Sequence, residues 1–251
     1  MISWNDFYNK KITQDMDLYP TVWEVKGKDS KGAINNELIV AQVNLQSDEK
    51  VVNMYFREPY WEPQFTAEVT LTTYNPNNKK FDTNGVEKIP VSIYSKYEID
   101  DSGNSILNPI ETKETDDNGQ AVFNFNGILI ITKEMKEGSN ASTNEHFIFH
   151  ITNNITKETM SISLEAGETV TLKLPLGQYT VQEESQWAWR YEASYIVKDY
   201  QSPDGTLNRN TIYLSTENLS EGSASVICTN TKNNNKWFDS NSNKENEFTV
   251  Q

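Results

Sequence analysis

Residues 174–191 read LPLGQYTVQEESQWAWRY. After the Pro175/Gly177 turn, Tyr179, Val181 and Glu183 occupy alternate positions, with Gln178, Thr180, Gln182 and Glu184 between them. Successive side chains of an extended strand point to opposite faces, so the first three share one face. That face begins apolar and ends in a carboxylate. Period-two alternation of this kind decides the fold class, and the stray carboxylate poses the functional question.

The same alternation recurs along the whole chain, in short β-branched and aromatic runs separated by Asp-Gly, Asn-Gly and Ser-Gly turns. No helical period is sustained over ten residues. The expected class is all-β, with two Ig-like or prealbumin-like β-sandwich domains in tandem. Candidate strands in the first half are 21–27, 38–45, 50–56, 66–74, 89–97 and 120–125. A second series occupies 127–135, 145–152, 158–164, 168–175, 177–184, 187–197, 210–215 and 224–230, enough for a sandwich by itself. The expected division is an N-terminal domain over 1–126, a second over 127–232 and a polar tail over 233–251. Within the first domain, 65–125 reads as prealbumin-like, while 1–64 either completes that sandwich or forms an extra sheet. In the tail, Trp237 and Phe238 are the apolar exception.

A chain of 251 residues with 36% hydrophobic and 11% aromatic residues is globular in composition. Its formal charge of −14 repels nucleic-acid phosphates and anionic lipid headgroups, which excludes nucleic acid as a partner. No apolar run reaches the roughly 18 residues of a membrane span, and MISWNDFYNKKITQDMD lacks the order of a secretion signal. Cys228 is the single cysteine, so no internal disulfide staples the fold.

Two further strands carry the same irregularity as 177–184. In 127–135, Leu129 and Ile131 share a face with Lys133; in 224–230, Val226 and Cys228 share one with Asn230. Each polar residue lies near a strand end, where a long side chain can reach water, and for Lys133 alone that reading is sufficient. The three together have complementary chemistry. Burial disfavours the charged forms of Lys and Glu alike unless they pair. A neutral amine is a nucleophile, and a protonated carboxyl can polarise an Asn side-chain carbonyl and pass a proton to the departing ammonia. The product of such a reaction is a Lys–Asn isopeptide bond.

IITK at 130–133, LPLGQYTVQEE at 174–184 and VICTN at 226–230 resemble, in order, the lysine strand, the L-P-x-G-x-Y-x-V-x-E strand and the closing x-x-T-N strand of Cna B-type domains. These are the prealbumin-like modules of Gram-positive pilins and adhesins. The resemblance covers about 127–232. It implies that Lys133 and Asn230 form the crosslink and that Glu183 promotes it, with no cofactor and no turnover. The expected function is then a structural cell-surface protein, extracellular, whose partners are other pilus or surface subunits and host glycan or matrix protein. Family members often continue with an Ala-Pro-x-Gly-Tyr turn, where this chain has SQWAWRY. A Lys133–Asn230 bond closes a loop of about 100 residues, worth on the order of 4–5 kcal/mol by the chain-entropy estimate for disulfides. The apparent sortase signal in LPLG is a strand-entry turn, because Leu-Gly stands where Thr-Gly is required.

The stretch PVSIY…TDDNGQAVF is similar to prealbumin-like repeats, with Asp116–Gly119 as its turn, but supplies no comparable triad. A calcium loop at 114–119 is excluded because Phe125 falls where a bidentate Glu is required. His146 and His150 are expected on an outer face, and two imidazoles without a third ligand make no metal site. Hydrolase chemistry lacks a G-x-S-x-G elbow. Trp187, Trp189 and Tyr191 alternate, and read as packing residues or as candidate ligand-binding residues of a carbohydrate- or host-ligand-binding module. A virion or tail-fibre component is the third reading. No YPK-like donor motif is present, which favours a tip or basal subunit over a polymerising shaft.

Overall fold

Alternating burial stacks the strands into pairs of sheets. The computed structural model describes residues 22–34, 39–44, 50–139, 141, 145–186, 188–221 and 223–233; the expectations for residues 1–21, Trp187 and the tail from 234 onward, including Trp237 and Phe238, lie outside them. The first eight strands are β1 (Val22–Lys28), β2 (Ile39–Asn44), β3 (Val51–Phe56), β4 (Gln64–Asn75), β5 (Lys80–Gly85), β6 (Pro90–Tyr94), β7 (Glu111–Glu114) and β8 (Gln120–Asn124). They form two sheets of four. In one, β4 pairs with β1 along one edge and divides the other between β8, over 64–68, and β5, over 70–75. The other sheet runs β2-β3-β6-β7, with β3 and β6 parallel. Phe65, Ala67, Val69 and Phe123 of the first sheet are buried, as are Val52, Met54, Phe56, Val91 and Ile93 of the second. Phe56 meets Phe65 edge-on at 5.4 Å between the sheets.

The second series comprises β9 (Asn126–Met135), β10 (His146–Asn153), β11 (Thr159–Glu165), β12 (Thr169–Pro175), β13 (Gly177–Glu183), β14 (Tyr191–Asp199), β15 (Ser202–Leu207), β16 (Thr211–Leu214), a short helix α1 (Thr216–Glu221) and β17 (Ala224–Lys232). One sheet is ordered β12-β9-β17-β14-β15 and the other β11-β10-β13-β16. β9 and β17 are parallel neighbours at the centre of the first. The molecule is thus all-β in architecture, two β-sandwiches in tandem.

Only Phe125 separates β8 from β9, and it is buried against Phe56 and Tyr60. The Tyr60 N–H donates to Thr216 Oγ1 (3.0 Å) and the Thr216 N–H to the Tyr60 carbonyl (2.7 Å). Trp61 meets Tyr213 edge-on at 6.2 Å. Backbone groups and rings therefore pair across the junction, leaving these buried polar atoms satisfied.

Of the two alternatives for the N-terminal stretch, its described strands follow the first, β1 lying in one sheet of the first sandwich and β2 and β3 in the other. Several other elements differ from the sequence reading. β5 (KFDTNG), β7 (ETKE), β15 (SPDGTL) and α1 (TENLSE) carry turn-like or charged sequences that alternation does not mark. The strand expected at 187–197 starts only at Tyr191. Before it, the Ala188 N–H bonds the Glu184 carbonyl and the Tyr191 N–H the Ala188 carbonyl, which makes a turn of the Trp189 segment.

The point where β4 passes from β8 to β5 is unusually close. Val69 donates to the Gly119 carbonyl and accepts from Val86, and a Cβ on Gly85 would lie 2.1 Å from the backbone of Asn118. Gly85→Ala is expected to destabilise the first sandwich by about 1–3 kcal/mol, as overpacking does, read as a lower urea midpoint at unchanged slope.

Candidate functional site

Lys133, Glu183 and Asn230 are brought together inside the second sandwich. In β9 the inward positions are Gly127, Leu129, Ile131 and Lys133; in β17 they are Ala224, Val226, Cys228 and Asn230; in β13 they are Gly177, Tyr179, Val181 and Glu183. The parity read from the sequence is the parity observed. Lys133 and Asn230 are 0% exposed and Glu183 is 4% exposed. The parallel register sets Lys133 beside Cys228 and Asn230 beside Met135, so the lysine backbone lies two residues short of the asparagine. A four-carbon lysine stem spans that offset, whereas a short side chain would not.

Glu183 comes from the opposing sheet and bridges the two. Lys133 Nζ lies 2.9 Å from Glu183 Oε2, and Asn230 Nδ2 donates to Glu183 Oε1 at 2.8 Å. Each carboxyl oxygen thus holds one prospective reactant. The Phe147 ring covers Lys133 Nζ at 4.4 Å. No buried side-chain nitrogen or oxygen among the described residues lacks a partner. One proton moved along the Nζ–Oε2 bond turns the ion pair into a neutral amine and a carboxylic acid, the form in which an amine can attack. The second oxygen already touches the nitrogen that would leave.

Two surrounding residues were not singled out by the sequence reading. Cys228 Sγ lies 3.5 Å from Glu183 Oε2, and burial pushes its thiol up to about 12, against the opposing pull of Lys133. It stays protonated and does not compete as a nucleophile. Tyr195, across the strand pair from Cys228, accepts a hydrogen bond from the Glu183 N–H at 2.9 Å. Burial raises its hydroxyl well above the ordinary tyrosine range. The face Cys228 shares with Asn230 is read from alternation, but its contact with Glu183 is not; Tyr195 needs the β14–β17 pairing, which the sequence does not reveal.

The remaining candidates disperse. Trp189 and Tyr191 do not alternate on one strand, because Trp189 lies in the turn before β14. Arg190 stacks over the Trp189 ring at 5.5 Å. The Tyr191 hydroxyl donates to Glu145 and its ring meets Phe147 at 5.5 Å. His150 bonds Ser161 through Nδ1 (2.8 Å) and Glu184 through Nε2 (3.2 Å), while His146 stands 3.6 Å from Glu165. Among the described residues no three His, Cys, Asp or Glu side chains gather for a metal. Asp116 caps the expected turn, accepting from the N–H groups of Asn118 and Gln120.

The first sandwich holds a similar set of residue types on its outer face. Lys28 Nζ lies 2.7 Å from Glu68 Oε1, which also accepts from Gln120 Nε2 at 3.2 Å. Here the lysine and glutamate side chains are 24% and 18% exposed. The Lys28 hydrogen bond, helped by Gln120, holds the Glu68 carboxyl below the usual range against the effect of burial.

No family model matches the chain, and no curated protein does. Among solved structures it is similar to a Mobiluncus mulieris adhesin containing intramolecular disulfide, isopeptide and ester bond cross-links. That pair is 10% identical over 86% of this chain and 85% of the other, with a TM-score of 0.40. The T-13 major pilin of Streptococcus pyogenes is 12% identical, over 86% and 90% of the two chains, with a TM-score of 0.35. BcpA, the major pilin subunit of Bacillus cereus, is 15% identical, over 85% and 57%, at 0.29. Likenesses of this size assign no role to any residue of this chain.

Two outcomes follow from the electrostatics. Lys133→Met leaves a carboxylate buried without its cation; adding Glu183→Gln, a neutral group that still bonds Asn230, should recover about 3 kcal/mol in urea unfolding. Glu68 has a folded pKa below its unfolded one, so its contribution is present at neutral pH and lost as pH falls through the folded value. The stability gap between the parent and Glu68→Gln should therefore shrink from neutral pH to about pH 3.

Proposed function

We propose that the second sandwich closes itself with an intramolecular isopeptide bond between Lys133 and Asn230, promoted by Glu183. The observation that carries this reading is a single buried carboxyl hydrogen-bonded at once to the amine and to the amide. Glu183 takes a proton from Lys133 Nζ, and the neutral amine attacks the Asn230 side-chain carbon. That proton passes to the side-chain nitrogen, which leaves as ammonia, and the second hydrogen that the new amide nitrogen must lose returns to the Glu183 carboxylate; one C–N bond forms and one breaks. Preorganised reactants supply the proximity that amide aminolysis otherwise lacks, and the water-free core removes hydrolysis as a competitor. The reaction happens once per chain, so it is self-modification without turnover.

The wider role we assign is structural, as a pilin-like or adhesin subunit of a cell surface, assembled with other subunits. Three features support it. The bond would join the first and last strands of the sandwich, which are parallel neighbours, so tension entering β9 and leaving β17 would cross a covalent link. An amide is not reduced, which suits an exposed protein whose single cysteine is buried. We keep the division at 126/127, with 127–232 as the crosslinked domain, one residue inside β9; the short passage from β8 through Phe125 supports it. A ligand-binding reading loses its proposed strand platform, since Trp189 sits in a turn and the Tyr191 hydroxyl is engaged by Glu145.

The test is the intact mass of the purified chain. The expected value is the sequence mass less one ammonia, with Lys133 and Asn230 recovered in one branched peptide after proteolysis. Glu183→Ala should return the full sequence mass. A parent chain at full mass sinks the proposal.

A further inference from the structure

Around the reacting groups, one polar atom has no part in the transamidation as described: the Cys228 sulfur. It is fully buried and in contact with all three participants, at 3.5 Å from Glu183 Oε2, 3.8 Å from Lys133 Nζ and 4.0 Å from Asn230 Oδ1. Its single hydrogen has Glu183 Oε2 as the nearest acceptor. The sulfur accepts from Lys133 Nζ, and Tyr195 stands directly across the strand pair. The Tyr195 oxygen is in turn engaged by the Glu183 N–H. Glu183 is thus held at both ends, its backbone N–H by the Tyr195 hydroxyl and its carboxyl by the Cys228 thiol.

We propose that Cys228 is a positioning residue for the crosslinking reaction, its thiol fixing which carboxyl oxygen of Glu183 carries the transferred proton. The inference rests on the proposed Lys133–Asn230 bond. The proton is received at the oxygen facing Lys133, and a half-turn of the carboxyl carries it to the side facing the Asn230 nitrogen, which lies 2.8 Å from the carboxyl; Cys228 S–H and Lys133 N–H, both donating to the oxygen that then faces them, hold the proton there. The sulfur acts on the amine as well. A neutral lysine amine has two hydrogens and one lone pair; that oxygen takes one hydrogen and Sγ the other, which leaves the lone pair for the Asn230 carbon. A raised thiol pKa keeps Cys228 a donor and prevents it from attacking the amide itself.

The experiment follows crosslinking in time on the full chain, by intact mass of samples stopped at intervals after cell-free synthesis. Three variants are compared with the parent, and folding is monitored in parallel by tryptophan fluorescence. Cys228→Val fills the space without a donor and is expected to lose ammonia about tenfold more slowly or worse, the size of a lost hydrogen bond to an ionised group. Cys228→Ala, which cannot overpack the site, should be slowed similarly. Cys228→Ser keeps an O–H donor and an acceptor and should react within about threefold of the parent, a rescue that packing alone does not predict. Equal rates for the parent and Cys228→Ala overturn the inference, and so does a serine variant as slow as the alanine one. A parent that never loses ammonia overturns the crosslink itself; a crosslinked parent with an equally fast alanine variant overturns only the role of Cys228.

Discussion

One carboxyl group from one sheet holds two side chains of the other, and the interior of the second sandwich is arranged around that contact. A lysine and an asparagine with no exposure are costly guests in an apolar core, by several kcal/mol for an ion left unpaired. Glu183 makes both tolerable by offering an oxygen to each. The arrangement is also unforgiving of register. Because side chains alternate with a period of two, a slip of one residue in β9, β13 or β17 would send its polar member to solvent and leave the other two unmatched. The aliphatic neighbours Leu129, Ile131, Val181 and Val226 therefore do more than fill space, since their parity fixes where the three polar groups point.

Comparison with the first sandwich isolates what burial adds. Lys28, Glu68 and Gln120 also place a carboxyl between an amine and an amide, and at similar distances. There the lysine donates to a partly solvated carboxylate that is held in its ionised form, and amine and amide share one of its oxygens. An ionised acid has no proton to give a leaving nitrogen, and a protonated amine has no lone pair to attack with. The set is a surface clamp between strands. An amine, a carboxyl and an amide in close contact are thus shared by both sites, and exclusion of water separates them.

The fold class and the three central side chains were legible because alternation is a local signal, and each of β9, β13 and β17 interrupts it once with a polar residue. Elements held by partners rather than by their own pattern were not. β5, KFDTNG, has a turn-like composition and is a strand because β4 offers it a free edge beyond β8. The opposite case is the segment after Trp187, where aromatic residues alternate in the sequence yet backbone bonds from Ala188 and Tyr191 wind 188–190 into a turn. Tyr195 escaped for a third reason. Its place beside Glu183 and Cys228 comes from pairing between strands far apart in sequence, and nothing local to YEASYIVKD encodes it.

The parallel pairing of β9 with β17 has a consequence for extension. A chain that enters the second sandwich beside Phe125 leaves it at the far end of the sheet, in the direction of entry, so the module adds its whole length to the distance between its ends. Positions 133 and 230 enclose close to a hundred residues, which unravelled would release roughly 300 Å of slack. With Lys133 joined to Asn230, that contour length is withheld at any load below the strength of a covalent bond. The second sandwich would then behave under tension as a short link of fixed length, and any give would have to come from outside it.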